Sequence, residues 1–384
     1  MINLIKNLLA PMFSLVLLIL GSGLFNTFVP VRLALEGVKN ETIGIITSAF
    51  YTGYLIGAIR SPSWIFQMNH LRTLILLSCM SGVCIVLQSF WIDPLFWAIV
   101  RFANGIAMGG LFVVIESWFL LSSPSNIRSQ ALSIYLIVLY GALSLAQLFL
   151  NFVDPLSSAP FYISGLFTFI ATIPVAFRSF QNPAQSKSER VPFFTIFRSS
   201  PRGFLGGIIS GMVLACIYGL APVYGQEMGL TIPAIGTFMA MIIFGGLSLQ
   251  MPLGRLADRG GRRRVLSFAC FFSALFSGLI AYSDGTSWSS LLIFSWFFGG
   301  FAFVLYPLSM AFACEKIPED QIVSATGGFV LSYGLGAITG PLFAPIFMTW
   351  LGSSGLFYFI SGISIFLGIV GIFPGFSYEK ENNS

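Results

Sequence analysis

The sequence predicts an all-α membrane protein with twelve transmembrane helices in two six-helix pseudo-repeat bundles. Three observations carry that expectation. Hydrophobic residues make up 56% of the chain and charged residues only 9%, with mean hydropathy +0.88. Soluble domains carry about 25% charged residues, so this inventory cannot cover a water-facing surface. The apolar residues fall into twelve runs, each close to the roughly 20 residues that a helix needs to cross the hydrocarbon core. The longest polar stretch lies between the sixth and seventh runs, so the chain divides evenly.

The predicted crossings run near 9–31, 42–64, 71–91, 94–120, 128–151, 158–178, 204–224, 231–253, 264–282, 287–312, 322–347 and 352–374. The first follows Lys6 and resembles a secretory leader. Its apolar run resumes through Phe25 to Val31, so it reads as a retained helix. The polar stretch "RSFQNPAQSKSERVPFFTIFRSSPRG", from Arg178 to Gly203, has the Pro, Ser, Gln and charge of a linker. The expected units are therefore residues 1–178 (N-terminal bundle), 179–203 (cytoplasmic linker) and 204–384 (C-terminal bundle).

Basic residues set the orientation. With both termini in the cytoplasm, only Arg32 and Lys39 fall in loops on the opposite side, and Arg101 falls inside the fourth crossing. The other Lys and Arg are then cytoplasmic, as the positive-inside rule demands, which fits a cytoplasmic membrane. The net charge of +5 thus speaks for topology, and no nucleic-acid partner is expected.

The halves look related. "RFANGIAMGG" in the fourth crossing aligns with "SWFFGGFAF" in the tenth, placing Arg101 on Ser295 and Gly105 on Gly299. Paired six-helix repeats are typical of secondary transporters.

Arg101 is the most informative residue. It lies about two turns inside its helix, where a charge is costly unless it faces a polar cavity or snorkels to the interface. Asn104, Gly105 and Met108 share its face. Glu116 lies fifteen residues on, about 60° around the axis and about 22 Å along it, too far to pair with Arg101. It reads as a proton carrier or as an interfacial partner of Arg72 or Arg128. Asn26, Tyr218, Gln226 and Tyr306 are sparse polar groups in other crossings, expected to touch substrate or to bond neighbouring helices. Gly105 and Gly109 form a small-xxx-small face, as do Gly336 and Gly340; Pro341 should bend or loosen the eleventh crossing.

The stretch "GRLADRGGRRRVL", from Gly254 to Leu266, concentrates charge between the eighth and ninth crossings. Gly254 allows close helix contact. Asp258 can accept from a helix N-terminus. Gly260 and Gly261 permit a reversal, and Arg262, Arg263 and Arg264 can bond carboxylates or helix C-terminal carbonyls.

At Gly254, Asp258, Gly261, Arg262 and Arg263 the pattern G-x3-D-x2-G-R-[RK] resembles the loop signature of the major facilitator superfamily. "RFANGIAMGG" resembles that superfamily's fourth-helix motif. "GAITGP", from Gly336 to Pro341, looks like its glycine-proline motif, placed in the eleventh crossing instead of the fifth. "GLFNTFVPVRL", "ESW", "YPLSMAFACE" and "SYGLGAITGP" are similar to the bacterial YcaD-like branch. Two departures stand out. Ser61 stands where the first-half loop would carry an acid, and "LIVLYGALSLAQLFLNF" lacks the signature associated with antiport.

The resemblance implies alternating access, with the first, fourth, seventh and tenth crossings lining the cavity. It also implies a cytoplasmic latch in which Asp258 meets the fifth crossing near Arg128 and Arg262 meets Glu315. The expected function is secondary active transport of a small organic solute, proton-coupled, by a monomer in the lipid bilayer; export of amphiphilic compounds, metabolite uptake and a non-cycling receptor are the alternatives. No cofactor, catalytic residue or metal site is expected. His70 is the only histidine, the five cysteines sit in apolar segments, and no GxxxxGK[ST] loop for ATP appears.

Overall fold

The structure is a computed structural model that describes residues 2–121, 128–176, 200–282, 287–314 and 322–372. Helices dominate, and no strand occurs among the described residues. In chain order they are α1 (Ile2–Leu35), α2 (Asn40–Leu87), α3 (Pro94–Leu121), α4 (Arg128–Leu148), α5 (Ala159–Ile170), α6 (Ile173–Ala176), α7 (Pro201–Glu227), α8 (Ile232–Gly260), α9 (Arg262–Tyr282), α10 (Trp288–Cys314), α11 (Ile322–Leu351) and α12 (Gly355–Ile372).

Ten helices among the described residues are long and apolar enough to cross a membrane. At 1.5 Å per residue the 48 residues of α2 would span about 72 Å if straight, more than twice a hydrocarbon core of about 30 Å. Asn69 breaks it, with φ 70° and ψ 166°, so α2 makes two passes. The shorter apolar helices α5 and α6 together form one more. The chain thus crosses twelve times within the described residues, and large apolar side chains such as Phe13, Leu76, Leu166 and Phe366 face outward, more than half exposed. This is a multi-pass membrane protein.

The crossings leave the turns at two ends. One end carries residues 36–39, 88–93, 153–158, 228–231 and 352–354; it is called here the turn end. There Gly37, Gly229 and Gly352 take positive φ after α1, α7 and α11, conformations that glycine adopts without a side-chain clash. Asp93 accepts from the Phe96 amide at 2.7 Å and starts α3. The other end carries Asn69 and Gly261.

The repeat is visible in packing. Within the N-terminal half, a Cβ at Gly105 of α3 would lie 2.0 Å from the Phe50 carbonyl oxygen of α2. Its counterpart Gly299 of α10 would lie 1.8 Å from the Ile242 carbonyl oxygen of α8. Two further levels exchange their small and large partners. Gly57 of α2 packs on Ile106 of α3, whereas Leu249 of α8 packs on Gly300 of α10; Tyr54 meets Gly109, whereas Gly246 meets Phe303. Each level keeps one residue without a side chain, so both halves reach the same close helix approach.

The contacts between halves follow the same symmetry. Gly44 of α2 abuts the Pro341 carbonyl of α11, and Gly236 of α8 abuts the Gln147 carbonyl of α4. Ser48 donates to the Ile338 carbonyl at 2.8 Å; at the equivalent place Ser144 donates to the Ala240 carbonyl at 3.1 Å. Asn40 donates to Glu227 at 2.8 Å and Thr349 donates to Glu41 at 2.6 Å. All of these lie toward the turn end. At the Gly261 end, no hydrogen bond or ion pair between two described residues joins the halves.

α11 runs unbroken through Pro341 and Pro345. Gly336 and Gly340 seat it against Ile208 and Met212 of α7, as their spacing predicts. The central linker 179–203 lies largely outside the described residues.

Candidate functional site

Arg101 is 4% exposed and stands on α3 facing α1 and the first arm of α2. Its guanidinium carbon lies 4.2 Å from the Phe50 ring centroid and 5.3 Å from that of Phe25, so two aromatic faces attract the cation. Its Nη2 donates to Asn26 Oδ1 of α1 at 3.0 Å. Nε and Nη1 have no hydrogen-bond partner, and no carboxylate forms an ion pair with Arg101 among the described residues. A guanidinium has five N–H donors, so most of its capacity is idle.

The residue borders a narrow crevice between the halves, lined also by Asn26, Thr47, Phe50, Tyr51 and Tyr218. Its free space admits a water-sized group and no more, so in this conformation the site is collapsed around Arg101. Tyr51 and Tyr218 hydroxyls bond no described residue and are spare donors. α1, α2, α3 and α7 therefore build the wall, and α2 is the member that the sequence reading did not expect.

Further toward the Gly261 end a second narrow crevice separates α2 from α11, lined by Tyr51, Tyr54, Leu55, Ala58, Val330, Tyr333, Gly334 and Ala337. Tyr306 of α10 stacks edge-on to Tyr333, with ring centroids 4.9 Å apart, beside this crevice. Glu116 is half-buried on α3, within electrostatic range of Tyr54, Tyr135 and Tyr306, and makes no ion pair among the described residues. Arg72 is exposed and does not reach it; the side chain of Arg128 lies outside the described residues.

Other candidates fall elsewhere. Asn104 donates to Ser81 Oγ at 2.9 Å and ties α3 to the second arm of α2, away from the crevice. Gln226 sits in the last turn of α7, where its carbonyl accepts from Gly229, and lines neither crevice. Gly105 and Gly109 pack on α2, as described above.

The charged loop is a sharp break. α8 runs to Gly260, Gly261 takes φ 90° and ψ 120°, and α9 starts at Arg262. Arg262 Nη1 donates to the Ala311 carbonyl at 3.3 Å, and Arg263 Nε donates to the Gly371 carbonyl at 2.6 Å, with Nη2 on the Ile372 carbonyl. The two arginines thus bond helix C-terminal carbonyls, where the helix dipole favours a cation. Asp258 is exposed, with Arg262 at 4.0 Å as ion partner and no hydrogen bond or ion pair to the described residues of α4. A Cβ at Gly254 would meet nothing within 4 Å, so the close helix contact expected there is absent in this conformation. Glu315 lies outside the described residues.

The structure also corrects the register of the first-half loop. Asn69 has the positive φ of Gly261, and His70 reaches Ser117 of α3 at 3.3 Å as Arg262 reaches Ala311 of α10. Phe66, not Ser61, then stands opposite Asp258. Counting from Gly57 misplaced it because the true counterpart of Gly254 is Pro62.

Comparison with known proteins agrees with the geometry. The family model of the Major Facilitator Superfamily matches residues 12–246 and 203–383. The MFS-type transporter YcaD of Escherichia coli O45:K1 (strain S88 / ExPEC) is 32% identical over 353 residues, covering 91% of each chain. An MFS-type transporter of Yersinia pestis (strain Pestoides F) is 30% identical over 358 residues, again 91% of each. Among solved structures, the nucleoside transporter NupG superposes with TM-score 0.77 at 15% identity, covering 95% of this chain and 98% of that one. A bacterial homologue of the human lysosomal transporter Spinster, inward-facing and occupied, gives TM-score 0.73 at 13% identity, covering 95% and 94%. With the family model matching both halves and relatives at this identity along nine-tenths of its length, the chain belongs to the major facilitator superfamily and is a transporter of that family, not an enzyme.

Proposed function

We propose that the protein is a secondary active transporter that carries a small organic solute by alternating access, as a monomer, coupled to protons. The observation that carries this reading is the one-sided closure of the bundle. The halves are joined by hydrogen bonds and close glycine contacts toward the turn end, and Asp258 is exposed at the other. Rocking about the crevice at Arg101 would open the turn end and bring Asp258 toward α4. With the arginine-rich end in the cytoplasm, the present form faces inward and both termini are cytoplasmic. The division into 1–178, 179–203 and 204–384 then marks the two moving bodies and their linker.

Glu116 is the proposed proton carrier. It lies in range of Tyr54 and Tyr306 with no ion pair among the described residues, and protonation removes the charge that apolar surroundings penalise. Aromatic lining with few charges suits an amphiphilic or neutral-bodied cargo better than a multiply charged one. Proteoliposomes with an entrapped pH dye, given a metabolite and drug library, test the reading. A solute that moves protons in wild type and not in Glu116→Gln supports it. Solute-driven flux that is unchanged by Glu116→Gln removes Glu116. Right-side-out and inside-out vesicles under the same gradient separate import from export.

A further inference from the structure

We propose that Arg101 is the receptor for a carboxylate on the cargo, so that the transported class is the organic monocarboxylates. This deepens the transport reading and rests on it only for the term cargo; binding at Arg101 stands by itself. The bonding around Arg101 is out of balance. A guanidinium buried to this degree is stable when its donors are bonded and its charge is met. Here one donor meets Asn26, two aromatic rings lie within 5.3 Å of the guanidinium carbon, and Nε and Nη1 are idle. Every other residue that lines the crevice is uncharged. The missing element is an anion, and the crevice is where it can arrive.

The surroundings select which anion. Arg101 is the sole cation in the lining, so a single negative charge is neutralised and a dianion would carry excess charge into an apolar site. Nη1 is unpartnered and Nη2 spends one hydrogen on Asn26, so the Nη1–Nη2 edge can still offer two parallel hydrogen bonds, which favours a planar carboxylate. Tyr51 and Tyr218 have spare hydroxyl donors for the outer lone pairs. Val29, Leu33, Ile43 and Ile46 offer an apolar wall for the body of the molecule.

The pseudo-repeat gives an internal control. Ser295 occupies the place of Arg101 in the second half, is fully buried, and donates to the Leu291 carbonyl of its own helix at 2.6 Å. The fold closes there without a charge. Arg101 is therefore not demanded by packing at this helix level.

The test uses purified full-length protein in nanodiscs, with thermal shift and equilibrium binding as readouts. The probes are matched pairs of monocarboxylates and their carboxamides, from acetate and acetamide to benzoate and benzamide. Carboxylates are expected to raise Tm while their amides do not, and Arg101→Gln should weaken the best binder by about 10- to 100-fold. A second variant supplies the anion from within. Asn26→Asp puts a carboxylate on the atom that already meets Arg101, so it should raise Tm in wild type, lower it in the Arg101→Gln background, and abolish the response to free carboxylates. Equal destabilisation by Asn26→Asp in both backgrounds overturns the proposal. So do amides that match their acids, or chloride or inorganic phosphate that stabilises as well as the carboxylates. Flux separates this inference from the transport reading. Carboxylate binding without flux of any solute sinks transport and leaves the site; flux of an uncharged solute without carboxylate binding does the reverse.

Discussion

The two halves of this protein are built on one plan, and they differ most where the plan leaves freedom. At the level of Gly105 and Gly299 the close approach of helices is kept unchanged. At the next two levels the small and large partners change places, Gly57 with Ile106 against Leu249 with Gly300, and Tyr54 with Gly109 against Gly246 with Phe303. Packing therefore constrains the pair and not the residue. Arg101 against Ser295 is a different kind of change. Among the described residues no ion partner compensates for the charge, and the second half closes over a serine that bonds to its own helix. Differences with compensation report architecture. The difference without it is the one on which the proposed cargo site rests.

The charged turns differ in the same informative way. Asn69 and Gly261 hold equivalent positions with φ 70° and 90°, and His70 and Arg262 both reach from there to the last turns of α3 and α10. The reach survives while its chemistry moves from an imidazole–hydroxyl contact to a cation on a helix C-terminal carbonyl. Asp258 corresponds to Phe66 in the comparison, so an acid stands at this position in the second half alone.

The largest effect should come from breaking a level that both halves share. Gly105→Val would drive a Cβ into the Phe50 carbonyl, whereas Gly254→Ala adds one into open space. Thermal unfolding in detergent should show the first variant as unfolded or lowered by more than about 10 °C and the second within about 2 °C of wild type. Comparable losses for both would mean that the glycine contacts do not set the helix spacing.

A smaller effect sharpens the latch difference. Asp258→Asn leaves the present conformation with no hydrogen bond lost but removes the proposed tie in the opposite one. The population should shift toward the present form by about 5- to 10-fold, a coupling of about 1 kcal/mol. Ala58 lines the crevice on the Gly261 side, so a cysteine introduced there should react faster with a membrane-impermeant maleimide in the Asp258→Asn background. An unchanged rate would remove Asp258 from the latch.

The smallest effect concerns the turns. Asn69 holds a conformation near the region used almost only by glycine, so Asn69→Gly should raise stability by about 1 kcal/mol, while Gly261→Ala should lower it by about 1–3 kcal/mol. Opposite signs at equivalent positions are the expected signature in chemical unfolding. Equal signs would show that the two turns are not equivalent.

The crossings, their number and the even division were legible in the sequence, because the bilayer forces long apolar helices whatever their packing. Arg101 was legible for the same reason, since a charge inside such a helix stands out. Side-chain direction was less so. Asn104 lies only about 60° from Arg101 around α3, yet that rotation carries it across to Ser81 and out of the crevice. Tyr51, Tyr54 and Tyr333 were missed because a tyrosine in an apolar run resembles packing or an interfacial belt. The closeness of Phe50, Tyr51 and Tyr54 on one stretch of α2 was the available signal. The loop register was misread because it was counted from Gly57, 197 residues before Gly254, whereas the positive-φ pair Asn69 and Gly261 fixes the offset there at 192.

The central claim is that the working charge resides in the first half alone. Solute-driven proton flux in proteoliposomes tests it with two variants at equivalent positions, Arg101→Gln and Ser295→Ala. The account predicts that a library solute drives flux in wild type, that Ser295→Ala stays within about twofold, and that Arg101→Gln falls by at least about 100-fold while retaining its fold by thermal shift. Wild-type flux in Arg101→Gln, or an equal loss in Ser295→Ala, would contradict it.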